Sequence, residues 1–158
     1  DPMDEFLFSL SNLAVLPFWA LMVAAPRWSW TRRIIVSPWS TLPVALVYAL
    51  LIVPIIPEVL PELAQPELSV IARSLGEPHG ALIGWVHFLA FDYIVGRWAY
   101  FDARARGLSA WLVSPSLLLI FMFGPLGYVV YMMVSARSRR EADLNSTETS
   151  VVLGWPMS

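Results

Sequence analysis

The chain has 158 residues, of which 58% are hydrophobic and only 14% are charged. Soluble domains usually carry roughly 25% charged residues, so this composition favours a protein whose surface faces lipid. The net charge is −2, every basic charge is an Arg, and the sequence contains no Cys. These counts argue against a nucleic-acid partner, which needs a basic patch, and they exclude disulfides and Cys-ligated metals within the sequence.

Four stretches are long and apolar enough to cross a membrane. A spanning helix needs about 20 mostly apolar residues, and the stretches that reach this length are residues 6–25, 34–57, 81–101 and 110–136. The sequence therefore predicts an all-α integral membrane bundle, with a four-helix transmembrane domain over residues 1–140. Residues 141–158 are predicted to form a polar, flexible tail.

The predicted connections differ in charge. Residues 26–38 are a basic, Trp-rich loop, a composition typical of the membrane–water interface. Residues 58–80 are acidic and rich in Pro. Within them, residues 67–75 are predicted to form a short surface helix, because Pro66 stands at its start and Gly76 past its end. Residues 102–109 form a tight connection.

The distribution of Arg predicts an orientation. With four spans, residues 26–38 and 102–109 lie on one side of the membrane and hold five Arg. The opposite side then holds Arg73 together with Arg137, Arg139 and Arg140. Because basic loops favour the cytoplasmic or stromal side, the acidic amino terminus is predicted to face the lumen-like side.

The third span carries most of the ionisable groups. His87, Asp92, Arg97 and Asp102 follow one another at steps of five residues, and each step turns a helix by about 140°. The side chains therefore spiral around the axis, and Asp92 and Arg97 are expected to point into protein or ligand. Ionisable residues inside a membrane usually mark function, so His87, Asp92 and Arg97 are candidate catalytic residues. In the alternative interpretation they hydrogen-bond to neighbouring helices and fix the packing.

Three interpretations of His87 fit the sequence. Its side chain can form an interhelical hydrogen bond, donate a proton, or act as the axial ligand of a chlorophyll magnesium. A metal site of the usual kind is not predicted, because His79 and His87 have no convergent His or carboxylate partners in the sequence.

A Gly-Pro-containing segment, residues 123–127 (FGPLG), interrupts the last predicted span. Pro removes a backbone hydrogen bond, and Gly allows another helix or a flat ligand to approach closely. Together with the nearby aromatic residues, this break predicts a ligand-binding cleft with the candidate residues Trp85, His87, Trp98, Tyr100, Gly124 and Gly127. In the alternative interpretation the glycines only let helices pack closely, and the aromatic rings anchor the protein in lipid.

Several strings of the sequence resemble the abscisic-acid-deficient-four family, in order and with similar spacing. Residues 16–26 (LPFWALMVAAP) resemble its first helix, residues 66–72 (PELSVIA) its surface segment, and residues 123–127 its last helix. Residues 85–89 (WVHFL), with Asp92, Arg97, Tyr100 and Asp102, resemble its third helix. The resemblance covers most of the stretch from about residue 10 to residue 133.

The resemblance implies a small membrane protein of plastids or cyanobacteria, in the thylakoid or the envelope, with a part in forming neoxanthin from violaxanthin. That step opens an epoxide to an allenic alcohol and requires no redox cofactor. An acid acts at the epoxide oxygen, for which His87 and Arg97 are candidates, and a base removes a nearby vinylic proton, for which Asp92 is the candidate. The expected ligand is a carotenoid, with chlorophyll as a second candidate.

A non-catalytic function is the alternative. The sequence has no phosphate loop, no nucleophile elbow and no paired His and carboxylate motif. The chain would then be a pigment-binding subunit that holds carotenoid or chlorophyll and docks to photosystem or antenna subunits. Both interpretations place the protein in a lipid bilayer with a carotenoid as ligand.

Overall fold

The computed structural model describes residues 1–138, which form α-helices and short 3-10 turns without any strand. The prediction of an all-α fold is therefore confirmed over this range, whereas the predicted tail, residues 141–158, lies outside the described residues. The helices are α1 Pro2–Ala24, α2 Ser29–Val36, α3 Leu42–Ile52, α4 Ile56–Ala64, α5 Leu68–Gly76, α6 Pro78–Ala105, α7 Ala110–Phe123 and α8 over residues 125–138.

The central helix of the fold is α6, whose 28 residues extend over about 42 Å. α1 runs parallel to it. At one end, Asp4 of α1 lies 2.9 Å from His79, in the first turn of α6. At the other end, Tyr100 donates a hydrogen bond of 2.9 Å to the carbonyl oxygen of Pro26, just after α1.

α3 runs antiparallel to α6. Arg97, towards the end of α6, donates a 2.7 Å hydrogen bond to the carbonyl oxygen of Ile35, which precedes α3. Tyr48, in the middle of α3, packs its ring 5.4 Å from that of His87, which lies earlier along α6. The chain therefore reaches the level of the start of α6 at the end of α3, and α5 packs against α6 there.

The hydrophobic core lies where α1, α3, α6 and α7 meet. The ring of Trp19 lies directly against Gly96, and a Cβ at that position would overlap it. This contact brings α1 and α6 close together in the middle of the fold. The largest buried side chains include Met22, Ile35, Tyr93, Tyr100, Leu117, Ile120 and Tyr131.

α7 leads back from the end of α6 towards its middle. Early in α7, the hydroxyl of Ser114 donates a 2.9 Å hydrogen bond to the carbonyl oxygen of Val23, at the end of α1. Late in α7, the ring of Phe121 lies 5.2 Å from that of Trp19. At the end of α7, Gly124 reaches Asp92, the midpoint of α6.

α8 then returns along α6 in the direction from which α7 came. The ring of Tyr128 lies 5.7 Å from that of Trp98, and the hydroxyl of Tyr131 donates a 2.6 Å hydrogen bond to Asp102 near the end of α6. Residues 110–136 are thus not one interrupted span, as the sequence predicted. They form a hairpin of two antiparallel helices whose tip lies at residues 123–125.

Two glycines make this reversal possible. Gly124 has a φ of +39°, in the region that side chains with a Cβ disfavour. Gly127 lies so close to the backbone of Leu119 and Ile120 that a Cβ there would overlap it. The absence of a side chain at Gly127 therefore lets the first turn of α8 pack directly on the last turns of α7.

The other predicted boundaries hold in part. The surface helix predicted at residues 67–75 is confirmed as α5, displaced by one residue. The predicted basic loop contains α2, because Ile35 is buried and the Thr31 hydroxyl donates a 2.8 Å hydrogen bond to Ala25. The second span was predicted over residues 34–57, but its helix starts later, at Leu42, because Pro43 lies in the first turn of α3. Its end also differs, since helical structure continues through a 3-10 turn into α4.

Two helical runs among the described residues are both long and apolar enough to cross a membrane. They are Pro2–Ala24 and the run Leu42–Ala64, which joins α3 to α4. α7, Ala110–Phe123, is apolar but shorter. Length and composition thus single out two of the four predicted spans.

The helix directions sort the charged residues into two ends of the fold. The basic end contains the end of α1, most of α2, the end of α6 and the end of α8, and its charged residues are Arg27, Arg32, Arg33, Asp102, Arg104, Arg106 and Arg137. The acidic end carries Asp1, Asp4, Glu5, Glu58, Glu62, Glu67, Arg73 and Glu77. Arg137 lies at the basic end because α8 returns there, which corrects the four-span prediction that placed it opposite.

Candidate functional site

A cleft of about 490 Å³ lies at half the height of the fold, between α1, α6 and the tip of the α7–α8 hairpin. Its wall is mostly aromatic and aliphatic, and it contains one ionisable side chain, Asp92. The lining residues are Asn12, Trp85, Phe88, Leu89, Asp92, Phe121, Met122, Phe123, Gly124 and Pro125. A concave, mostly apolar space with few polar groups is the usual form of a small-molecule site.

Asp92 lies at the tip of the hairpin. A Cβ at Gly124 would collide with its Oδ1 atom, so the carboxyl group occupies the space that the glycine leaves free. α8 begins at the next residue, and the amino-terminal end of a helix dipole favours a nearby negative charge. Within residues 1–138, Asp92 forms neither a hydrogen bond nor an ion pair. Its carboxyl oxygens are therefore available to a bound molecule.

Asn12 and Trp85 supply the other polar groups of the cleft. The indole nitrogen of Trp85 donates a 3.3 Å hydrogen bond to Asn12 Oδ1, and Asn12 Nδ2 donates one of 2.7 Å to the carbonyl oxygen of Phe8. The Phe8 ring packs 5.7 Å from that of Trp85. These contacts fix the amide of Asn12, and because an amide nitrogen carries two hydrogens, one N–H remains for a ligand.

The cleft opens sideways, through the wall of the helix bundle. Phe88, Met122 and Phe123 line it and are 60%, 59% and 60% exposed. Because these side chains are apolar and lie at mid-height, the opening suits a molecule dissolved in hydrocarbon better than one dissolved in water.

A larger cavity of about 680 Å³ lies at the acidic end, between the first turns of α1 and α6. Its wall includes Asp1, Asp4 and Glu5, and Asp4 is engaged by His79 at 2.9 Å. Of the candidate residues predicted from the sequence, it contains only Trp85. We therefore assign the candidate site to the cleft at the hairpin tip.

Three of the predicted site residues, Trp85, Asp92 and Gly124, come together in this cleft. His87 lies away from it, with its ring 5.4 Å from that of Tyr48 and 4.7 Å from that of Phe91. Its interhelical contact is aromatic, and the imidazole has no hydrogen bond to any residue in 1–138.

Arg97 also lies outside the cleft. Its Nε and Nη2 atoms donate hydrogen bonds of 2.7 and 2.8 Å to the carbonyl oxygens of Ile35 and Val36. Its guanidinium also lies 5.1 Å from the centre of the Phe101 ring. Arg97 points into protein, as expected. Its hydrogen bonds cap the carboxyl end of α2, however, and do not contribute to the cleft.

The remaining predicted residues also serve packing. Trp98 packs on Tyr128 and Tyr131 of α8. Tyr100 is buried and ties α6 to the end of α1. Gly127 lies against the backbone of α7. None of these three lines the cleft.

Sequence reasoning missed several residues of the cleft, chiefly Asn12, Phe88, Leu89 and Met122. Two signals were available. Phe88 and Leu89 precede Asp92 by four and three residues, the spacing at which helical side chains share a face. Asn12 is the one amide in the first apolar stretch. Over residues 1–138, no group of three or more His, Asp and Glu side chains converges as a metal site would require.

Comparisons with known proteins agree on one family. The family model described as ABA DEFICIENT 4-like matches residues 6–131. "Protein ABA DEFICIENT 4, chloroplastic" of Arabidopsis thaliana is 31% identical over 137 residues, which cover 82% of this chain and 60% of the relative. The chain thus spans about 60% of the length of that relative. No solved structure matches. Since the family model matches most of the chain, from within α1 to within α8, and includes every residue that lines the cleft, the chain belongs to the ABA DEFICIENT 4-like family.

Proposed function

We propose that this protein is an integral membrane protein whose cleft receives one end of a carotenoid from within the bilayer. The observation that carries the proposal is the apolar cleft at mid-height, which opens sideways and contains a single carboxyl group, Asp92. The family supports the same ligand class, because the resemblance connects it with xanthophyll conversion.

Three crossings and a re-entrant hairpin account for the helices better than four crossings do. α1 and the run Leu42–Ala64 have the length and composition of spans, and α6 is long enough at about 42 Å. Arg97 and Asp102 of α6 are both hydrogen-bonded, which lowers the cost of placing them in a membrane. Irregular backbone at membrane depth is tolerated where it is buried or lines a cavity, and the hairpin tip lines the cleft.

This arrangement predicts that the ends of α5 and α8 lie on opposite sides of the membrane. The chain has no Cys, so single substitutions Ser29→Cys, Ser69→Cys and Ser138→Cys can be labelled in sealed vesicles with a membrane-impermeant maleimide. Ser29→Cys and Ser138→Cys should react from one side and Ser69→Cys from the other. Four crossings would instead pair Ser138→Cys with Ser69→Cys, and that result would contradict the hairpin.

The ligand class follows from the shape and polarity of the cleft. A volume of about 490 Å³ suits one end of a long polyene, with the rest of the molecule in lipid. Phe88 and Phe121 offer rings that can pack on conjugated carbons. Asp92 and Asn12 offer the polar groups that an oxygenated ring needs, and Trp85 holds the Asn12 amide in place.

The same groups can carry out an isomerisation of an epoxide to an allenic alcohol. In that reaction the C–H bond breaks and its electron pair forms the second C=C bond of the allene, while the C–O bond breaks with its pair on oxygen, which receives the proton; the product is an isomer of the substrate. In this proposal the Asp92 carboxylate removes the proton from carbon, and the resulting acid returns it to oxygen. Asn12 replaces His87 and Arg97 as the candidate for hydrogen bonding to the oxygen, because it lines the cleft and keeps one amide N–H, whereas the single N–H of Trp85 is already donated to Asn12.

Two matched substitutions test ligand binding. Phe88 and Phe91 are both exposed and lie three residues apart on α6, but only Phe88 lines the cleft. Phe88→Ala should lower the pigment bound per protein, with an affinity loss of about tenfold, and Phe91→Ala should leave it unchanged. Bound pigment is measured by absorbance after purification from carotenoid-containing membranes. Equal losses in both variants, or wild-type protein that never carries carotenoid, would contradict the proposed site.

Catalysis is tested separately with Asp92→Asn, which keeps the size of the side chain. It should retain bound carotenoid and lose about 100-fold or more of any conversion of an added epoxy-carotenoid. Retained conversion would remove Asp92 from the chemistry.

The name of the Arabidopsis relative supports a plastid location.

The alternative function is that of a non-catalytic, pigment-binding subunit. Co-purification of the protein with a large pigmented complex, without conversion of an added epoxy-carotenoid, would favour that function instead.

A further inference from the structure

A second apolar groove lies at the basic end of the fold, whereas the cleft lies at mid-height. It has a volume of about 430 Å³ and lies between the end of α1 and the first turns of α7. Val23, Ala24 and Pro26 form one wall, and Trp111 and Leu118 belong to the other. Trp111 is 89% exposed, so a large aromatic ring stands free beside an apolar groove.

Exposed arginines surround this end of the fold. Arg27 directly follows the groove residue Pro26, and Arg32 and Arg33 follow on α2. All three are exposed, and none forms an ion pair with a carboxylate in residues 1–138. Among residues 1–138, Asp102 is the one carboxylate at this end, and it is already engaged by Arg106 at 2.7 Å. Arg27, Arg32 and Arg33 therefore have no carboxylate partner within the described part of the chain.

We propose that this groove and the arginines beside it bind a membrane lipid with an anionic headgroup. The acyl chains lie in the groove between α1 and α7, and the headgroup lies against Arg27, Arg32 and Arg33. The proposal rests on the membrane embedding proposed above, but it does not depend on what the cleft binds.

Two independent features single out a lipid as the occupant. The groove is apolar and lies on the outer surface of helices that face hydrocarbon, where acyl chains are the surrounding medium. The charges follow the end of α1, on Arg27 and in α2, close in sequence to Trp28 and Trp30, which are exposed as interfacial Trp residues are. Anionic headgroups attract arginines at this height, by about fivefold in affinity for each charge.

The charge arm of the test replaces Arg27, Arg32 and Arg33 by Gln. Arg73→Gln is the matched control, because Arg73 lies at the acidic end. Purified protein is equilibrated with equal amounts of phosphatidylglycerol and phosphatidylcholine in mild detergent, and the retained lipids are counted by native mass spectrometry. Wild type and Arg73→Gln should prefer phosphatidylglycerol, and the triple variant should lose about 100-fold of this preference. Equal preference in wild type, or an unchanged triple variant, would overturn the proposal.

The groove arm uses Ala24→Phe, which places a ring in the groove. Ala136→Phe is its control, because Ala136 is exposed at the basic end but outside the groove. Ala24→Phe should reduce retained phosphatidylglycerol at least fivefold, and the control should not. A single Arg27→Gln variant, with an expected fivefold loss of preference, keeps the test valid if the triple variant does not fold. If the wild-type protein retains phosphatidylglycerol but never carries carotenoid, the function proposed for the cleft is rejected and this inference stands.

Discussion

Arg97→Leu is expected to destabilise the fold more than replacement of any exposed arginine. The Nε and Nη2 atoms of Arg97 satisfy the carbonyl groups of Ile35 and Val36, which lie at the carboxyl end of α2 and lack helical partners. A hydrogen bond from a charged group contributes about 1.5–3 kcal/mol, so the loss of two should cost about 3 kcal/mol or more. The positive charge of Arg97 also lies at the negative end of the α2 dipole, where it is stabilising.

Two further substitutions separate these contributions. Arg97→Lys keeps the charge but not the planar fork, so an intermediate loss is expected. Arg104→Leu serves as the control, because Arg104 is exposed at the end of α6 and has no ion pair in residues 1–138. Free energies of unfolding are compared in the same detergent. Equal stability of Arg97→Leu and Arg104→Leu would show that the cap of α2 contributes little, and would reopen a functional assignment of Arg97.

Gly124→Ala should cause the second large loss, through two separate effects. The φ of +39° is unfavourable for any residue with a Cβ, at a cost of about 1–3 kcal/mol. The new methyl group would also collide with Asp92 Oδ1, and overpacking costs a further 1–3 kcal/mol, roughly. Since Gly124 forms the tip of the hairpin, the substitution should also alter the cleft.

Gly107→Ala is the matched control for the backbone effect. Gly107 has a φ of +66°, but a Cβ there would meet no atom within 4 Å. The difference between the two alanine variants in thermal unfolding therefore reports the collision with Asp92. In the background of Asp92→Ala, the cost of Gly124→Ala should fall towards that of Gly107→Ala. If it does not fall, Asp92 and Gly124 are not in contact.

The sequence predicts the helices of this fold better than their directions. Stretches without charge reveal α1 and the run from α3 to α4, because lipid-facing helices need no polar residues. The reversal at Gly124 is hidden, because the apolar run over residues 110–136 has the length of a tilted span. A Gly-Pro pair indicates a break, and the angle of that break depends on the close packing of Gly127 on Ile120 and on the contact of Gly124 with Asp92, which is distant in sequence.

The candidate site was predictable in part for a similar reason. Asp92 stands out as a lone carboxyl group in an apolar stretch, and its selection needs no tertiary information. The role of Arg97 depends on the carbonyl groups of residues 35 and 36, about 60 positions earlier. Every residue type has a backbone carbonyl group, so the sequence cannot show which of them accepts this hydrogen bond. Asn12 was missed because the sequence does not show which face of α1 meets Trp85.

The hairpin also has a consequence for biogenesis. In the proposed membrane arrangement, residues 110–138 enter and leave at the basic end, so no part of the hairpin has to be translocated. Of the connections between described helices, the polar stretch between the proposed second and third crossings, which contains α5, is then the one that the insertion machinery must transfer. A reporter domain fused after residue 138 should therefore remain in the compartment of its synthesis, together with the arginine-rich connections.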